Sequence, residues 1–131
     1  LGLELVLLEH FEDRPQWIPL VLLAAGLVAS GALAIRATHA TVRAFQTVSV
    51  LFVAAGALGL WLHFDGNLAF EREDDPAATT GVLVRRAVFG ATPLLAPGAL
   101  AQLGLVGLCI AYRHPALRRR STTVTRAPET R

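Results

Sequence analysis

The sequence has no lysine and no methionine, only one cysteine, and charged residues at 17% of its 131 positions. A soluble domain usually carries about 25% charged residues, so the low value argues against an ordinary soluble domain. The single cysteine, Cys109, excludes an intramolecular disulfide and a CxxC redox centre. With 12 basic and 10 acidic residues the formal net charge is only +2, which gives no reason to expect nucleic acid as a partner.

Apolar residues make up 53% of the chain and are concentrated in long blocks. Residues 17–35, 44–64 and 93–112 form three blocks without an acidic or basic side chain other than His63. Each block has about 20 residues, enough for a helix to cross roughly 30 Å of hydrocarbon at 1.5 Å per residue. The sequence therefore predicts an all-α, polytopic membrane bundle with three complete transmembrane helices.

The first eight residues, LGLELVLL, are apolar except for Glu4. We expect residues 1–10 to be the outer end of a fourth span that begins before Leu1. A signal-peptide remnant is the alternative, which the lack of a small-residue cleavage pattern disfavours. Glu4 would lie within the bilayer, where a carboxylate needs a partner or a proton, and Gln102 is one candidate partner.

Charge predicts the orientation. Eight of the twelve Arg residues flank the same side of the blocks: Arg36, Arg43, Arg113, Arg118, Arg119, Arg120, Arg126 and Arg131. The positive-inside rule assigns that side to the cytoplasm, so we expect a multi-pass protein of a bacterial inner membrane with a cytoplasmic C-terminus. Residues 1–116 would form the membrane domain and residues 117–131 an Arg-rich cytoplasmic tail, which touches anionic lipid or another subunit.

A long outer loop is predicted over residues 65–92. It opens on Asp65-Gly66-Asn67, a turn signal, and continues through an acidic run. Thr79 or Thr80 is positioned to cap a short interfacial helix over residues 81–90, with the adjacent Arg85 and Arg86 facing the acidic run or lipid phosphates. The segment is either a solvated acidic loop or an ordered cap that docks on another protein.

Small residues spaced i, i+4 occur in each complete span and favour close helix packing within the chain or with a partner. The pairs are Gly26 with Ser30, Ala55 with Gly59, and Gly107 with Ala111. Gln102 lies in the middle of the last span, and we expect it to form a hydrogen bond to another helix.

Histidines and carboxylates suggest two possible cofactor sites. The topology predicts that His10 and Glu12 lie at the same membrane face as His63 and Asp65, a set that suits Zn, Fe, Mn or Cu(II), although the spacing matches no metal motif. Bis-histidine haem ligation is a further alternative, with His10 and His63 at the outer face and His39 and His114 at the inner face. Neither set outweighs ordinary interface histidines, so we expect no cofactor.

The sequence carries no phosphate-binding loop, Ser/His/Asp set or HExxH motif, and we expect no enzymatic activity. The favoured hypothesis is a non-catalytic accessory or scaffold subunit of a larger membrane complex, such as a respiratory or photosynthetic one. Its expected partners are the lipid bilayer and other membrane subunits, contacted by Arg85, Arg86, Arg118, Arg119 and Arg120. The alternatives are a small metal-binding or transport protein that uses the outer His/carboxylate set, and a haem or pigment protein.

Overall fold

A computed structural model describes residues 17–89 and 95–118. These residues form four α-helices and a short 3₁₀-helix, without a strand: α1 (Trp17–Ile35), α2 (His39–Asp74), α3 (Thr80–Phe89), α4 (Leu95–Ala111) and the 3₁₀ turn Pro115–Leu117. The all-α prediction is confirmed for this part of the chain. The predicted partial span at residues 1–10 and most of the tail lie outside the described residues.

Two of the helices are long and apolar enough to cross a membrane. They are α1 and α2, whose most apolar 18-residue windows have mean hydropathies of 2.3 and 1.8. Helix α1 begins and ends where the charge-free block does, at Trp17 and Ile35. Helix α4 has 17 residues, the lower limit for a span, and ends one residue before the predicted boundary at Tyr112.

Helix α2 has 36 residues and extends beyond the predicted span 44–64 at both ends. It begins at His39 because Thr38 caps it: the Thr38 hydroxyl accepts from the Thr41 backbone N–H, and the Thr41 hydroxyl accepts in return from the Thr38 N–H. This reciprocal pair is a capping box, which satisfies backbone donors at the start of a helix. The link between α1 and α2 is therefore only residues 36–38.

The predicted turn at Asp65-Gly66-Asn67 is wrong, because α2 continues through it to Asp74. A single Gly in a helix costs only about 1 kcal/mol, and the following residues, LAFERE, are mostly good helix formers. The helix ends where Pro76 follows Asp75, since the residue before a proline avoids helical backbone angles. Asp75 has φ −134° and ψ 79° and donates its N–H to the Glu71 carbonyl.

The core lies along α2, which packs most extensively against α4 and less against α1 and α3. Glycines allow this approach. A Cβ added at Gly56 would lie 2.5 Å from the Ala101 backbone N, and one added at Gly104 would lie 2.5 Å from the Ser49 carbonyl O. The backbones of α2 and α4 are thus in direct contact, as in helix pairs joined by small residues.

Of the small-residue pairs singled out in the sequence, several members do pack between helices of this chain. Gly26 lies against the Phe52 ring, Gly59 against Pro97, and Gly107 against Ser49. Ser30 does not, because its hydroxyl is exposed and donates to the Gly26 carbonyl of its own helix at 2.7 Å. Gly26, Gly59 and Gly107 therefore mark contacts within the chain.

Candidate partner-binding surface on the helical hairpin

The last ten residues of α2, the turn after them and α3 form a helical hairpin, residues 65–89, that continues beyond the apolar part of α2. Leu83 and Ala87, spaced i, i+4, are the buried residues of α3 and face α2. The Asn67 side-chain amide donates to the Ala87 carbonyl at 2.9 Å. These contacts hold α3 against α2, so the segment predicted as a loop is an ordered structure.

Arg86 lies at the edge of the hairpin and bridges its two helices. Its guanidinium donates to the Asp75 carboxylate at 3.2 Å and lies 3.8 Å from the Glu71 carboxylate. Of the two predicted environments for this side chain, the structure shows the acidic run. Exposed ion pairs contribute at most about 1 kcal/mol, so Arg86 orients α3 more than it stabilises it.

Three side chains form an outward stripe on α3, defined here as Val82, Arg85 and Phe89. Their spacing of three and four residues places them on one helical face, turned away from Leu83 and Ala87. All three are exposed, Phe89 to 83%. Together with Glu71 and Arg86 they line an open cleft of about 360 Å³.

The stripe combines an aromatic ring, an aliphatic side chain and a cation. Arg85 forms no ion pair with any described residue, in contrast to Arg86 beside it. An exposed ring next to an exposed guanidinium suits an acidic or aromatic group of a protein partner, since Arg and aromatic residues are enriched at interface hot spots. The sequence pointed to both Arg85 and Arg86, but it could not show which of them forms the ion pairs of the hairpin and which lies on the outward stripe.

Arg118, a further predicted contact residue, lies at the opposite end of the bundle. Arg118 is exposed and follows the 3₁₀ turn, where its N–H donates to the Pro115 carbonyl. Arg119 and Arg120 lie outside the described residues. His114 caps the turn, with its Nδ1 accepting from the Ala116 N–H at 3.2 Å, which occupies one of its two ring nitrogens.

The structure describes only His63 and Asp65 of the predicted metal set, because His10 and Glu12 fall outside the described residues. His63 and Asp65 both lie on α2, two positions apart, and residues with that spacing point to different sides of a helix. No group of three or more metal-ligating side chains occurs within residues 17–89 and 95–118. The set stays a prediction that depends on the N-terminal segment.

The structure describes three of the four histidines predicted as alternative haem ligands: His39, His63 and His114. His39 is the first residue of α2 and His63 lies 24 positions later on the same helix, a rise of about 36 Å. The two histidines therefore belong to opposite ends of the bundle, as the topology predicted. Their proposed partners are His114, which caps the 3₁₀ turn, and His10, which is outside the described residues.

Gln46, rather than Gln102, joins two helices through its side-chain amide. Gln102 is exposed, and its side chain forms no hydrogen bond to another helix within the part of the chain described, so the predicted bond is not tested by these residues. Gln46 instead joins two helices: its Nε2 donates to the Ala111 carbonyl at 3.2 Å. Its Oε1 is buried without a described partner. Gln46 is also an amide side chain inside an apolar block, and this is the same sequence feature that singled out Gln102.

Comparisons of the chain with family models, curated proteins and solved structures found no match.

Proposed function

We propose that the chain is a multi-pass membrane protein that acts as a non-catalytic accessory subunit of a larger membrane complex, with the outward stripe as its docking surface. Membrane placement is supported by apolar exposure. Helix α1 buries only Ala29, while side chains such as Leu27 and Val28 are more than 70% exposed. Soluble monomers rarely expose contiguous apolar surface of this extent, whereas lipid covers it without cost.

In this placement α1, α2 and α4 cross the bilayer, and exposed aromatic rings mark its surfaces. Trp17 begins α1 and Trp61 lies near the end of the apolar part of α2, on the side that carries the hairpin. Tyr112 follows α4 on the opposite side, next to Arg113. Indole and phenol rings favour the membrane interface, and the Arg-rich side faces the cytoplasm. The hairpin is then outside.

The subunit role depends on one observation, the outward stripe of an ordered hairpin. A solvated acidic loop with arginines that neutralise its charge would not require an ordered helix. In this structure, however, α3 is held by buried side chains, the Asn67 amide and the Arg86 ion pairs. On the outward stripe α3 exposes Arg85 and Phe89, whose side chains contribute little to the fold. An exposed aromatic residue and an exposed cation on an ordered helix are typical of a binding surface.

Native mass spectrometry of the protein purified from its own membranes in mild detergent tests the proposal. We expect it to emerge with larger chains, and we expect the double variant Arg85→Glu/Phe89→Asp to lose them while remaining in the membrane. Arg72→Glu is the control for the charge reversal at Arg85, since it makes the same Arg→Glu change at an exposed residue that does not line the cleft. A wild-type chain that emerges alone would contradict the subunit role.

A further inference from the structure

We propose that the face of α4 turned away from α2 is a helix-pairing seam that binds a second copy of this chain. The seam consists of the exposed residues Gln102, Leu105 and Cys109. The inference rests on the membrane placement proposed above, because it requires α4 to cross the bilayer. It does not depend on the outward stripe or on the identity of any other subunit.

The two faces of α4 carry the same spacing. The residues that face α2 are buried and follow one another by four, three and four positions: Leu100, Gly104, Gly107 and Ala111. The three seam residues lie two positions before Gly104, Gly107 and Ala111 and so repeat their spacing of three and four. Because two residues turn a helix by about 200°, the seam lies on the opposite side. A spacing of four and three is the pattern by which two helices pair in a left-handed crossing.

Gln102 is the observation that requires a partner for this face. It lies seven residues after the start of α4 and nine before its end, near the middle of the bilayer. Its amide is exposed and forms no hydrogen bond to the described residues. An amide that faces hydrocarbon leaves donors and an acceptor unsatisfied, so an interhelical hydrogen bond is favoured there.

A second copy fits this requirement. Two copies insert with the same orientation, so a two-fold axis along the membrane normal places each residue of α4 opposite itself. Gln102 then meets Gln102 of the other copy, and a primary amide supplies both a donor and an acceptor, so the pair is self-complementary. No charged side chain interrupts the seam.

The native cysteine reports this pairing. Cys109 is exposed on the seam and is the only cysteine of the chain, so it would lie opposite itself across the axis. A disulfide forms when the two Cα atoms lie about 4.4–6.8 Å apart. Copper(II)-phenanthroline with oxygen supplies the oxidant, which takes two electrons as the two thiols lose two protons and form one S–S bond.

We would cross-link the full chain in its own membranes and in liposomes diluted with lipid. We expect a reducible dimer through Cys109, and we expect Gln102→Leu to weaken it by roughly threefold to tenfold, the effect of one or two interhelical hydrogen bonds. The control is Cys109→Ala/Ile110→Cys, which moves the thiol about 100° around the helix at nearly the same depth. We expect that variant to give no dimer.

Equal cross-linking at both positions, or none at Cys109, would overturn the seam, as would a Cys109 cross-link to a different protein. Alkaline carbonate extraction of the same membranes tests the placement independently. A chain released into the supernatant overturns the membrane proposal and the seam together. An inserted chain without the Cys109 dimer overturns the seam alone.

Discussion

Individual glycines set how closely α2 and α4 approach. The sequence pointed to Gly59 and Gly107 as members of i, i+4 pairs, but the structure adds Gly56 and Gly104, each three residues from one of them. At Gly56 and Gly104 an added Cβ would meet backbone atoms of the facing helix, which cannot rotate away as a side chain can. These two positions could not be ranked by spacing alone, because several other glycines occupy similar apolar blocks.

At this scale we predict that Gly104→Ala destabilises the bundle by about 1–3 kcal/mol, since overpacking forces the backbones apart. Gly31→Ala is the matched control, because a Cβ at Gly31 meets nothing within 4 Å. It should leave stability unchanged or raise it by up to about 1 kcal/mol through helix propensity. Unfolding in detergent, followed by the fluorescence of Trp17 and Trp61, measures both. Equal stability of the two variants would contradict the close α2–α4 contact.

The helical hairpin is where sequence and structure differ most at the scale of elements. Hydropathy correctly separated the apolar part of α2 from the polar residues that follow, but it does not report where a helix ends. The helix continues because Asp65-Gly66-Asn67 is not followed by another breaker until Pro76 and because α3 packs on the extension. The short helix itself was predicted within one residue at each end, at 81–90 rather than 80–89.

If buried contacts hold the hairpin together, Leu83→Ala should release α3. Leu83 is 8% exposed, and truncating a buried leucine costs about 2 kcal/mol or more. Hydrogen exchange of the α3 amides should therefore accelerate by roughly 30-fold. Val82→Ala, at the preceding residue, which is 41% exposed, should change exchange of the α3 amides by less than about threefold. Fast exchange of α3 already in the wild type would contradict an ordered hairpin.

For the whole molecule, the distribution of arginine predicts which side each connection occupies. Ala37, in the link between α1 and α2, and Thr79, in the turn before α3, are both exposed and should lie on opposite sides of the membrane. In a Cys109→Ala background, a membrane-impermeant maleimide should label Thr79→Cys in intact cells. It should label Ala37→Cys only after permeabilisation. Labelling of both residues from outside, or the reverse pattern, would contradict the proposed topology.

The sequence by itself determined the helical class, the bounds of α1 and the existence of α4 and α3, because these depend on local hydropathy and capping. It could not determine which glycines touch a neighbouring backbone, which amide joins two helices, or which of two adjacent arginines is paired. Those depend on how each helix is rotated about its axis, which only packing fixes. Tertiary structure thus placed Gln46 inside and Gln102 outside, and paired Arg86 while leaving Arg85 exposed.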